Sequence, residues 1–302
     1  MRVLIATNGS SHAVAALHLG AQIAARGRTA PTILTVIRRE TDCSPDAADA
    51  ILTWARKIVQ PQVPDVLTKV RIGPPATEIV REAEAGRYDL VVVGKSPNGS
   101  LLTRLLPCST AAHVAGHAPC PVIVAKGEVG PIRRILLCDS GSEDPAVGLL
   151  TTLLPRAGHT PSAPSSGAAA PAKLCCCTRI LLNLLEGDGE IVVLHVMSQM
   201  GAGPGVRGKQ LRSDTEALIE ERAPEGELLA RDIETLARLG FRARAAVRHG
   251  LVVEEIVAQV QSEDYDLVAI GAHRGHGWQY LLLEDLAHRI VVELDRPILV
   301  VR

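Results

Sequence analysis

The segment from Tyr88 to Val114, YDLVVVGKSPNGSLLTRLLPCSTAAHV, contains residue types that hold phosphate groups in other proteins. Gly94 ends an apolar run, Asn98–Gly99 is typical of a turn, and Ser109–Thr110 begins a helical pattern. Loop amides and hydroxyls at the start of a helix are the groups with which α/β proteins bind phosphate oxygens. Pro97 removes one of those amides, and an ordinary turn between a strand and a helix remains the alternative.

The other candidate metal-binding or catalytic residues do not form a complete site. The run Cys175–Cys177 lacks the ligand spacing and the second cluster of a zinc site, and we interpret it as small apolar filler. His273 and His276 have no matched third ligand, and His195 is either a pocket residue or a core histidine. No nucleophile elbow, Walker loop, kinase signature or dinucleotide fingerprint is present. We therefore expect no metal site and no enzyme.

The composition argues against several classes of partner. The chain has 302 residues, a formal net charge of −1 and 2% aromatic residues, so it offers neither a basic surface nor stacking platforms for nucleic acid. No stretch approaches the ~20 apolar residues of a membrane span, and the apolar run before Asn8 is too short for a secretory signal. Cysteines without a disulfide framework fit a reducing compartment. We expect a cytoplasmic protein.

The sequence repeats itself, and this repeat determines the predicted architecture. Val70–Gly94, VRIGPPATEIVREAEAGRYDLVVVG, matches Val247–Gly271, VRHGLVVEEIVAQVQSEDYDLVAIG, at a constant offset of 177 residues. The openings at Arg2–Ser11 and Arg134–Glu143 also correspond, as do the endings of the two halves. Each half alternates continuous Val/Ile/Leu runs with helical patterns, which indicates a parallel sheet covered by helices on both faces.

We predict an α/β protein of two tandem doubly wound domains, each a five-stranded, mostly parallel sheet. The predicted domains are residues 1–127 and residues 131–302. The second domain carries a Pro/Ser/Ala/Cys-rich insertion at about residues 156–177, which we expect to be a disordered loop. A glycine-rich stretch at Gln199–Gln210 lengthens a second loop of that domain.

Ligands of open α/β sheets bind at the carboxyl ends of the strands, where the strand order reverses. In the first half this rule selects Thr7–Ser11, Val36–Arg39 and Gly94–Thr110. The V-L-I-A-x-x-G-S opening, the Y-D-L-V-V-V-G block and the A-P-C-P-V-I-V-A ending resemble the universal stress protein family, here as a tandem pair. The resemblance covers nearly all residues except the insertion, and it implies the adenine nucleotide alpha hydrolase-like fold.

This resemblance also implies a site for an adenine nucleotide, ATP with Mg²⁺, in the first half. ATP-binding members share the pattern G-x2-G-x9-G-[S/T], whose amides and hydroxyl hold phosphates, and an Asp near the end of the first strand. Gly94 and Ser109 match the first glycine and the hydroxyl. Asn98 stands at the second glycine, Cys108 stands at the third, and Asn8 replaces the Asp.

The predicted site of the first half combines three loops. Lys95 and Arg104 are candidates for compensating positive charge. The cofactor-binding residues implied by the resemblance are Asn8, Gly9, Ser10, Val36, Gly94, Asn98, Gly99, Ser109 and Thr110.

The second half departs further from the family pattern. Arg274 stands at the second glycine and Glu284–Asp285 at the Gly-Ser pair, where carboxylates repel phosphate or cap the helix. We therefore expect this half not to bind ATP as the family does. The residues at its corresponding positions are Ser140, Val196, Gly271 and His273.

The resemblance implies a non-enzymatic, stress-responsive regulatory module with at most weak ATP hydrolysis. Two hypotheses stay open: the first half binds an adenine nucleotide, or both sites are degenerate and the protein is a dimerising scaffold for an unknown protein partner. The resemblance also implies that the last strands of the halves, Pro121–Ala125 and Pro297–Val301, pair with each other, which would hide their exposed edges. The chain would then form a pseudo-dimer by itself, and a homodimer is a further assembly.

Overall fold

The computed structural model describes residues 1–38, 45–95, 109–139, 176–197, 224–271 and 287–301. In the first half, buried apolar runs form strands and amphipathic segments form the helices between them. Its elements are β1 (Val3–Thr7), a 3-10 turn (Ser11–Ala13), α1 (Val14–Arg26), β2 (Thr32–Ile37), α2 (Pro45–Val59), β3 (Leu67–Ile72), α3 (Pro75–Gly86), β4 (Leu90–Gly94), α4 (Thr110–His117) and β5 (Val122–Ala125).

The second half repeats this order of elements. They are β6 (Ile132–Asp139), α5 (Cys176–Leu184), β7 (Leu185–Met197), α6 (Pro224–Arg238), β8 (Arg242–His249), α7 (Val252–Ser262), β9 (Leu267–Gly271), a helix α8 over residues 287–293, and β10 (Ile298–Val301). The insertion at 156–175 and the stretch at 199–210 lie outside the described residues, whereas Cys176 and Cys177 begin α5.

The ten described strands form one sheet in the order β3-β2-β1-β4-β5-β10-β9-β6-β7-β8. Neighbouring strands within each half are parallel. The halves join where β5 pairs antiparallel with β10, with Ile123 opposite Leu299. The predicted α/β fold and the predicted pairing of the last strands are confirmed, and the pairing merges two five-stranded sheets into one.

Two apolar clusters cover the faces of this sheet, and each extends through both halves. Helices α1, α2, α5 and α6 pack on one face, where Leu17 and Leu181 belong to the same cluster. Helices α3, α4, α7 and α8 pack on the other face, where Val114 and Ile290 share a cluster. In the described ranges, no helix is long and apolar enough to cross a membrane.

Strand β7 begins earlier than the sequence indicates. The apolar run predicts a start at Ile191, but the strand begins at Leu185. Ile132 pairs with Leu185 and Arg134 with Glu190, so the chain between the two partners bulges. Gly187, whose φ is +57°, supplies a backbone conformation that few other residues adopt without strain.

Candidate functional site

The strand order of the first half reverses at β1, which lies between β2 and β4. A cleft is expected at the carboxyl end of such a reversal. Gly94 ends β4 there, and its backbone lies against the turn that follows β1. A Cβ atom on Gly94 would lie 2.6 Å from the His12 carbonyl oxygen and 3.1 Å from the Ala13 Cα. Gly94 therefore allows the two loops to approach each other closely.

The loop after β1 is held by its own side chains. The Ser10 backbone N–H and hydroxyl both donate to Asn8 Oδ1, at 3.1 and 2.7 Å. The Gly9 N–H donates to Thr7 Oγ1 at 3.2 Å, and Gly9 has a φ of +77°. Asn8 is exposed beside this turn, and its side-chain oxygen fixes the loop.

Helix α4 begins at the same edge of the sheet. Ser109 is its N-cap residue, and its Oγ accepts a hydrogen bond of 3.1 Å from the Ala112 N–H. The Thr110 side chain is exposed at this helix start, and the first-turn amides of an α-helix have no acceptor within the helix and favour negative charge.

The start of α4 borders an open cleft of about 460 Å³, within the size range of small-molecule sites. The predicted site residues Asn8, Gly9, Ser10 and Gly94 are not among the residues that line it. Its walls are Arg38 from the end of β2, the Pro74–Thr77 segment at the start of α3, and Ser109, Thr110 and His113 of α4. One cation and the starts of two helices thus face a single space. This arrangement suits a ligand that carries negative charge.

The carboxylate nearest this cleft on α3 is neutralised by ion pairs. Glu78 lies in the first turn of α3 and accepts hydrogen bonds from Arg71 at 3.0 Å and from Arg81 at 2.7 Å. The Arg71 hydrogen bond, supported by Arg81, holds the pKa of Glu78 below its ordinary value and outweighs the opposing effect of burial. Glu78 therefore stays ionised but paired, and its charge is largely compensated beside the cleft.

The predicted site residues fall in different parts of this arrangement. Ser109 and Thr110 line the cleft, and Val36 packs on the core two residues before Arg38. Asn98 and Gly99 lie outside the described residues. Lys95 does not face the cleft: its Nζ donates to the Val291 carbonyl of the second half at 2.6 Å.

The sequence patterns assigned no ligand role to six of the residues that line the cleft, which are Arg38, Pro74, Pro75, Ala76, Thr77 and His113. Pro74–Thr77 lies within the repeated block Val70–Gly94, which predicts a helix but no ligand contact, and His113 was interpreted as a residue of the α4 carboxyl end. Arg38 falls inside a selected loop but was assigned no function. His113 stacks on His117 with ring centroids 4.1 Å apart. Among the described residues, no group of three or more His, Cys, Asp or Glu side chains is placed to bind a metal ion.

The corresponding region of the second half is described only in part. Gly271 ends β9 beside Val301 of β10, and Val196 packs on the core. His195 is 7% exposed and lies next to Val196 along β7. Ser140 and His273 lie outside the described residues, so their predicted roles remain predictions.

Comparison with known proteins identifies one family. The model of the universal stress protein family matches residues 1–126 and 178–302. A universal stress protein from Archaeoglobus fulgidus aligns with 100% of this chain and 96% of its own, at 14% identity and a TM-score of 0.64. A putative universal stress protein from Pseudomonas aeruginosa aligns with 99% of this chain and 92% of its own, at 15% identity and a TM-score of 0.60.

A shorter solved structure, a universal stress protein in complex with cAMP, covers 41% of this chain and 95% of its own. Its identity to this chain is 26% and its TM-score is 0.36. The comparison with curated proteins finds no match. The two long alignments agree with the tandem arrangement of the fold described above.

Proposed function

The chain belongs to the universal stress protein family, and from this premise we propose that it is a stress-response regulatory module that binds an adenine nucleotide in its first half. The cleft between β2, α3 and α4 is the observation that supports this proposal most directly. The proposed ligand is ATP with Mg²⁺, and the proposed role is a binding switch in the cytoplasm rather than catalysis.

The donor set of the cleft fits the phosphate part of such a ligand. Arg38 supplies a guanidinium, which binds phosphate oxygens in a bidentate manner. The Thr110 hydroxyl and the first-turn amides of α4 supply neutral donors at a helix start. Mg²⁺ usually reaches such sites through the phosphates and water rather than through a protein cage, so the described residues need not contain a metal cluster of their own.

Two hydrogen bonds favour the second candidate, a nucleotide-free scaffold that acts by protein interaction. Ser109 Oγ accepts from Ala112 N, and Asn8 Oδ1 accepts from Ser10, so both predicted ligand groups have partners within the protein. A site that keeps the fold of a nucleotide-binding site but no longer binds the ligand would be expected to have its polar groups hydrogen-bonded within the protein in this way.

The deciding experiment is calorimetric titration of the full chain with ATP and Mg²⁺, after analysis of the purified protein for bound nucleotide. The proposal predicts one site per chain. Arg38→Gln should weaken affinity about tenfold, or ~1.4 kcal/mol, because one charge-assisted contact is lost. Arg231→Gln, which removes an exposed arginine of the second half, is the matched control. No heat and no bound nucleotide at near-millimolar ligand would favour the scaffold.

A further inference from the structure

Two lysines of the first half donate hydrogen bonds to the same backbone carbonyl group of the second half. Lys95 follows β4 and Lys126 follows β5, and the Nζ atoms of both donate to the Val291 carbonyl oxygen, at 2.6 and 2.5 Å. Lys126 Nζ also donates to the Leu294 carbonyl. These carbonyls belong to the carboxyl end of α8, where helices present unpaired acceptors. The amines therefore bind α8 to the first half, and we name the pair the lysine clasp.

The clasp places two amino groups close together where contact with solvent is limited. Lys126 is 6% exposed. Burial and the neighbouring Lys95 together lower the pKa of Lys126 to about 7, against the opposing effect of Asp295. Lys95 from the β4 end and Asp295 from the segment after α8 are thus the charged groups that act on Lys126. On α8 itself, Arg289 and Glu293 form an ion pair with each other at the exposed surface.

The second half does not repeat the two lysines of the clasp in its sequence. By the alignment of the two halves, Ala272 corresponds to Lys95 and Arg302 corresponds to Lys126. Alanine carries no amine, and arginine stays charged at all ordinary pH values. The lysine pair is therefore specific to the first half, where it lies next to the antiparallel pairing of β5 with β10.

We propose that the lysine clasp is a proton-sensitive contact between the two halves, which tightens when Lys126 loses its proton and loosens when Lys126 gains one. A neutral Lys126 amine still has two N–H groups, enough for the carbonyls of Val291 and Leu294. A protonated Lys126 places a second ammonium beside Lys95 in a poorly solvated position, which the low dielectric makes costly. The stability of the contact between the first half and α8 therefore depends on pH.

The direction of the effect follows from proton linkage. Opening the clasp returns Lys126 to water, where its pKa is near the ordinary value of about 10.4. Between the closed-state and open-state pKa values the open form binds more protons, so raising the pH disfavours opening. Well above the closed-state midpoint, the opening equilibrium should fall by up to about tenfold for each pH unit. Below that midpoint it should be insensitive to pH.

The first test is a pH titration of lysine Cε signals by NMR in the full chain, with Lys126 assigned through Lys126→Met. We expect Lys126 to titrate near pH 7 and to move upward in Lys95→Met, because a neighbouring positive charge has been removed. A Lys126 midpoint near 10, or a midpoint that Lys95→Met leaves unchanged, would overturn the proposal.

The second test is hydrogen exchange of the segment 291–301, corrected for the intrinsic effect of pH. Wild type should exchange more slowly by up to about tenfold from pH 8 to pH 9. Lys126→Met should show no such change, whereas Lys57→Met, which alters an exposed lysine of α2, should behave as wild type. Equal pH dependence in wild type and Lys126→Met would overturn the proposal.

Discussion

At the scale of single residues, Gly94 shows how one missing side chain shapes the site. Gly94→Ala would place a Cβ 2.6 Å from a backbone oxygen of the 3-10 turn, so the backbone must move. We expect a loss of about 1–3 kcal/mol in the free energy of unfolding, measured by urea denaturation. Gly130→Ala is the control, since its Cβ would meet nothing within 4 Å. Equal stability of the two variants would contradict the close approach.

Residue types predicted some of the site but could not predict contacts made across the chain. The Ser109 pattern marks the start of a helix, and the structure places an N-cap there. Arg38 and His113 line one cleft because β2 ends and α4 begins at the same edge of the sheet, and no spacing in the sequence encodes that arrangement. Lys126 reads as a surface lysine, and it is buried only because α8 of the other half covers it.

At the scale of elements, α4 permits a test that separates capping from ligand binding. Ser109→Ala removes the N-cap and should cost about 1 kcal/mol of stability. Ser109→Asp preserves the cap, because aspartate caps as well as serine does, but it adds a negative charge to the cleft. We expect Ser109→Asp to unfold like wild type and to bind ATP more weakly than Ser109→Ala does. Undiminished ATP affinity in Ser109→Asp would place the nucleotide elsewhere.

Strands formed by long, uninterrupted apolar runs were predictable from the sequence. A strand boundary set by backbone geometry was not. Strands β4 and β9 are continuous apolar runs and appear where the repeat indicates. The predicted start of β7 at Ile191 was wrong because LEGDGE, residues 185–190, has the composition of a turn. The bulge opposite β6 lets Leu185 and Glu190, at the two ends of this run, pair with Ile132 and Arg134.

At the scale of the whole molecule, the repeat predicts two domains, whereas the strands form one continuous sheet. The pairing of β5 with β10 was implied by the family resemblance, and both strands are apolar, as a pair of joined edges requires. The contacts that reinforce it were not: Arg26 of α1 donates to the Leu184 carbonyl of α5 at 2.9 Å and forms an ion pair with Glu186. Such a contact joins segments far apart in sequence and follows only from the assembled sheet.

Since both apolar clusters extend through both halves, the halves should unfold together, although multidomain proteins often unfold in stages. In a Trp278→Phe chain, Trp54 is the remaining tryptophan and reports on the first half. We expect its fluorescence and the far-UV circular dichroism of the whole chain to change at one urea midpoint. Gly94→Ala, a change in the first half, should lower both midpoints equally. Two separated transitions, with only the fluorescence shifted by Gly94→Ala, would show that the junction at β5 and β10 does not transmit stability between the halves.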